Sequence, residues 1–203
     1  MKEYLQTLAD AQAKHNAFGK ISLIPKEQYV LDNGKTMTSE SLTQEQKDIV
    51  LRLCNAFNAE PKQCFFNSMF MCMASIWDSE LLPRIKYCEG FVSSEAPFPV
   101  HHAWITLDGK VVDVTLTTTK YTTQQLIDWQ DNGVELPRNR NLSDRILGEI
   151  PEGWEYYGVE FDAKKVGQQF VQRGASFSLI DDWERRWPLL QKNNQQQDQI
   201  LYK

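Results

Sequence analysis

The sequence predicts an α+β fold on three observations: helical spacing in its first third, an apolar segment from Cys64 to Trp77, and strand patterns around an Asp108-Gly109 turn. Helix, buried helix and then a run of antiparallel strands is the order expected of that class. With 203 residues, 41% hydrophobic and 24% charged, the chain suits one folded domain over residues 1–203, its core at about 43–118.

Residues 2–14 place Tyr4, Leu5, Leu8 and Ala11 at helical spacing, so a short amphipathic helix opens the chain. Residues 21–24 and 29–31 read as short strands ahead of an Asn33-Gly34 turn. Thr43 and Gln46 form a capping box, and Ile49, Val50, Leu53, Cys54 and Phe57 make one apolar stripe behind it, which predicts a helix. Pro61 signals the next helix start. Phe65, Phe66, Met69, Phe70, Met71, Met73, Ile76 and Trp77 leave that helix apolar almost all round, hence buried.

Strands are expected at 85–92, 100–107 and 110–116, the last two joined by Asp108-Gly109, a pair suited to a two-residue hairpin turn. Further on, the pattern gives a short helix at 123–129, a turn-rich excursion at 131–153, a strand at 158–161 and a helix from Asp162 to about Arg173. The polar, glutamine-rich stretch at about 191–203 is expected to fray.

A net charge of −5 without a dense Lys/Arg cluster argues against nucleic-acid binding. No stretch near residue 1 has the apolar core of a signal peptide, and no run reaches the ~18 apolar residues of a membrane span. A cytoplasmic protein without a membrane partner is the expectation, and its four cysteines are then reduced thiols. No Gly-x-Gly-x-x-Gly or phosphate-loop motif appears, and Cys64, Cys72 and Cys88 lack metal-ligand spacing, so neither cofactor nor metal is expected.

A cysteine nucleophile needs a stabilised thiolate, a base within hydrogen-bond reach and a group that orients the base. Cys64 falls in the first turn after Pro61, where amide N–H groups and the helix dipole favour a thiolate. A two-residue turn pairs Leu107 with Lys110, so the count outward puts Trp104 opposite Asp113 and His102 opposite Thr115. His102 and Asp113 are then diagonal neighbours on one face, at roughly 7–8 Å between backbones, a gap their side chains span. His101 points to the other face. Cys54 and Cys72 read as packing residues. Cys88, in a strand without free amides, is the rival nucleophile. Asn67, one turn after Cys64, either touches substrate or an oxyanion, or satisfies a local backbone group; Gln63 either donates to an oxyanion or faces solvent. Trp104 is a core or cleft-wall residue.

The stretches Cys64-Phe65-Phe66-Asn67, Tyr87-Cys88-Glu89-Gly90, His102-Ala103-Trp104 and Asp113-Val114-Thr115 resemble the transglutaminase-like, papain-related core, and more closely small phage- and plasmid-encoded proteins built on it. The resemblance covers about residues 60–118, with Gln63-Cys64-Phe65 in place of the usual Gly-x-Cys-Trp. It implies a helix carrying the cysteine on an antiparallel sheet, with Cys64, His102 and Asp113 as a catalytic triad and Glu89 and Tyr87 along the cleft. The implied function is a thiol-dependent hydrolase or acyltransferase acting on an amide, ester or thioester of a protein, peptide or small acyl substrate. The alternative is an idle binding protein, for example a phage-encoded inhibitor of a host protein.

Overall fold

The capping box predicted at Thr43 forms in both directions: the Thr43 amide donates to Gln46 Oε1 at 2.9 Å and the Gln46 amide to Thr43 Oγ1 at 3.2 Å. In this computed structural model residues 1–15, 23–56, 62–93, 98–115, 132, 153–173 and 178–192 are described. Pro61, the helix expected at 123–129, most of the excursion at 131–153 and the tail beyond 192 lie outside them.

Helix α1 (Lys2–His15) opens the chain as expected. Helix α2 (Lys26–Asn33) replaces the strand expected at 29–31. Its end signals outweigh the strand preference of Tyr29-Val30-Leu31: Pro25 precedes the first turn, Glu27 sits at the helix's positive end, and the Gly34 amide closes on the Val30 carbonyl at 2.7 Å. Asn33-Gly34 thus ends a helix, and the chain runs directly into β1 (Lys35–Met37). After α3 (Gln44–Ala56) comes α4 (Cys64–Ala74), which tightens into a 3₁₀ turn at Ser75–Trp77.

Strands β2 (Ile85–Ser93), β3 (Val100–Leu107), β4 (Lys110–Val112) and β5 (Glu155–Asp162) join β1 in an antiparallel sheet of order β1-β5-β2-β3-β4, and α5 (Ala163–Arg173) follows. The hairpin register is the predicted one, Leu107 with Lys110, Thr106 with Val111 and Ile105 with Val112. Asp108 and Gly109 have φ of 53° and 81°, the left-handed pair a twisted two-residue turn requires. Strand β4 is shorter than expected. The chain leaves the ladder at Asp113 and turns helical at Val114-Thr115, because the Asp113 and Thr115 side chains are drawn to His102 and Asn67.

The sheet curls until its two ends meet, the Val111 amide donating to the Thr38 carbonyl at 2.8 Å. Met37, Cys88, Val92, Trp104, Val111 and Tyr156 fill the inside of the curl. The opposite face, with Ile85, Tyr87, Phe91, Ile105, Leu107 and Phe161, packs with residues of α4 and α5. Strand β2 is therefore enclosed on both sides and buried along almost its whole length. No helix among the described residues is long and apolar enough to cross a membrane.

Candidate active site

Cys64 is the first residue of α4, and the exposed Gln63 before it is the N-cap without a side-chain cap bond. The helix thus begins with first-turn amides that no Gln63 side chain covers. Of the four cysteines, Cys64 alone reaches the surface. Burial pushes the Cys54 and Cys72 thiols up to about 12 and holds Cys88 well above the ordinary thiol range, so these three are packing residues in the neutral form. Cys88 points into the curl, its Sγ 3.8 Å from the Thr106 hydroxyl.

His102 lies on β3 opposite Gly90, on the inner face with Trp104, whose ring stacks on the imidazole at 6.3 Å and 18°. Its Nε2 is 2.7 Å from Asp113 Oδ2, and Cys64 lies near enough to the ring to act on its titration. With Nε2 on Asp113, Nδ1 is the nitrogen that serves the thiol. Because β4 stops at Val112, no described strand flanks His102 on that side, and the start of α4 reaches the imidazole there. Burial would lower the His102 pKa, but the charge and hydrogen bond of Asp113, joined by Cys64, push it up to about 10. That shift favours the protonated ring, an imidazolium, over the neutral one.

Asp113 is 5% exposed, and its Oδ2 also accepts a 2.9 Å hydrogen bond from the Tyr156 hydroxyl. Asn67 is fully buried and donates from Nδ2 to Thr115 Oγ1 at 2.8 Å, tying the helix that bears Cys64 to the turn that bears Asp113. It therefore acts as a brace between the two elements. Close strand approach makes room for the inner face: Gly90 pairs with Gly158, and a Cβ on Gly158 would stand 2.7 Å from the Trp104 ring.

Glu89 and Tyr87, expected along the cleft, are instead wholly enclosed, and Trp104 takes the core place of its two expected ones. Trp104 donates its indole N–H to Met37 Sδ at 3.3 Å. Glu89 accepts from Tyr87 OH at 3.0 Å, the Leu179 amide at 2.7 Å, the Ile180 amide at 3.3 Å and the Ser178 hydroxyl, and lies 3.0 Å from His101 Nε2. A carboxylate so surrounded has no oxygen left for substrate. The structure thus brings Cys64, His102 and Asp113 together, places Gln63 exposed beside them, and turns Asn67, Glu89 and Trp104 into support. Among the described residues no group of three or more His, Cys, Asp or Glu side chains is placed to hold a metal ion.

Tyr156 is the residue that sequence reasoning missed. Its approach to Asp113 depends on β5 pairing with β1 and β2, a non-local register that no turn in the sequence announces. Comparison with protein-family models, curated proteins and solved structures finds no match to this chain.

Proposed function

We propose that the protein is a thiol-dependent acyl-transfer enzyme on a transglutaminase-like, papain-related core, with Cys64 as nucleophile, His102 as acid and base and Asp113 as the group that orients His102. The observation that carries this reading is the meeting of three side chains: a helix-start cysteine beside an imidazole whose Nε2 is held 2.7 Å from a buried carboxylate. An imidazole beside a cysteine and oriented by a carboxylate is the arrangement that moves protons for a sulfur nucleophile.

In this mechanism the Cys64 sulfur attacks the carbonyl carbon of an amide, ester or thioester, and the electron pair of the C=O bond moves to oxygen. The first-turn amides of α4 are the donors nearest that oxyanion. The leaving group departs with the proton of His102, leaving a thioester on Cys64. Water or an amine then gives its proton to His102 as it attacks, and the thiol is released. Hydrolysis and acyl transfer share every step up to the thioester and differ only in whether water or an amine is the acceptor.

The test is alkylation with iodoacetamide followed by peptide mapping. Cys64 should react much faster than a free cysteine at neutral pH, and the Cys64→Ala variant should fold and lose the fast phase. A protein in which no cysteine reacts preferentially would instead be an idle binder on the same core.

A further inference from the structure

Resting on the triad reading above, we propose that Tyr156 is a positioning residue of this site, whose hydroxyl shares the Asp113 oxygen that binds His102 and so sets how tightly Asp113 holds the imidazolium. The geometry is specific. Asp113 Oδ2 receives both the Tyr156 hydroxyl at 2.9 Å and His102 Nε2 at 2.7 Å. Two donors on one carboxylate oxygen divide its electron density, so each bond is weaker than it would be alone. The second donor also fixes the carboxylate's rotation, keeping Oδ2 aimed at the ring.

Tyr156 is built to stay there. It is 1% exposed, and its backbone pairs with Met37 on β1 and with Val92 on β2, so strands hold it from both sides. Its ring meets Trp104 edge-on at 5.0 Å and 81°, while Trp104 stacks on His102. The same tyrosine therefore supports the imidazole by two routes, through the carboxylate and through the indole. Burial first, and then the Asp113 charge, hold its phenol well above the ordinary range. It remains a donor throughout the pH range in which thiol chemistry runs.

A packing role and a positioning role separate by experiment. Tyr156→Phe keeps the ring on Trp104 and removes the hydroxyl, while fluorotyrosine incorporated at position 156 keeps the shape and makes the hydroxyl a stronger donor. The readout is the titration of the His102 ring, followed by NMR of the imidazole nitrogens in the full chain, with His15 and His101 assigned by their own variants. Removing the competing donor should raise the His102 midpoint by about one unit, and the fluorinated residue should lower it. A structural role alone predicts no such opposed pair of shifts. Unmoved titrations, or shifts in the same direction, overturn the proposal, and should Tyr156→Phe fail to fold, the fluorotyrosine shift decides alone. Because the ring is observed directly, the result stands apart from whether Cys64 proves reactive.

Discussion

Two adjacent histidines of β3 each meet a buried carboxylate, and they do so on opposite faces of the sheet. His102 turns inward to Asp113 at 2.7 Å, and His101 turns outward to Glu89 at 3.0 Å. The two rings are almost equally exposed, at 18% and 17%. What separates them is the company of the carboxylate. Asp113 sits at the end of a hairpin, where its histidine also lies near Cys64. Glu89 gathers Tyr87, Ser178 and two successive backbone amides, and so fastens residues 178–180 to the middle of the sheet. In the proposed mechanism the first pair serves chemistry while the second holds the architecture, and residue type alone does not distinguish them.

This comparison breaks most readily in stability. Glu89→Ala strands several buried donors and should cost about 3–5 kcal/mol, whereas Asp113→Asn, which fills the same volume, should cost about 1–2 kcal/mol. Urea unfolding of both variants checks the order, and equal losses would erase the distinction.

In reactivity the order reverses. His102→Ala should slow the alkylation of Cys64 at neutral pH by about a hundredfold, while His101→Ala should change it no more than a few-fold, through the edge contact of its ring with Phe65 at 5.3 Å. Comparable losses in the two variants would place both histidines in the machinery.

A third contrast is the dependence of stability on pH. The His102 pKa is raised from 6.5 to about 10, so the stability it contributes is fully present below about pH 6.5 and is lost as pH climbs through about 10. His102→Gln should flatten that loss, and the difference between the two unfolding curves across this window measures it. A native protein no more sensitive than the variant would mean that Asp113 does not hold an imidazolium.

The local part of this architecture is legible in the sequence. Asp108-Gly109 dictates a turn whose register is correct for every pair that forms, and it correctly separates His102 from His101. Thr43 and Gln46 announce the start of α3, because a capping box depends on residues three positions apart. Tyr29-Val30-Leu31 misleads, since strand preference is weak and the signals at Pro25 and Gly34 decide the segment. The end of β4 at Val112 is also hidden: it follows from the side-chain partners of Asp113 and Thr115, which exist once α4 and β3 are assembled. Glu89 is harder still, as its hydroxyl partner Ser178 lies 89 residues away. Contacts of that range are fixed by the whole fold.

The seam between Thr38 and Val111 has a bearing on how the protein keeps to itself. An open sheet ends in strands whose unpaired amides and carbonyls can recruit another chain. Here the terminal strands β1 and β4 are three residues each, and one carbonyl at the end of β1 is already taken by an amide of β4. Each terminal strand thus offers a stranger little backbone to copy, so the curl that encloses Trp104 and Tyr156 also guards those two strands against aggregation.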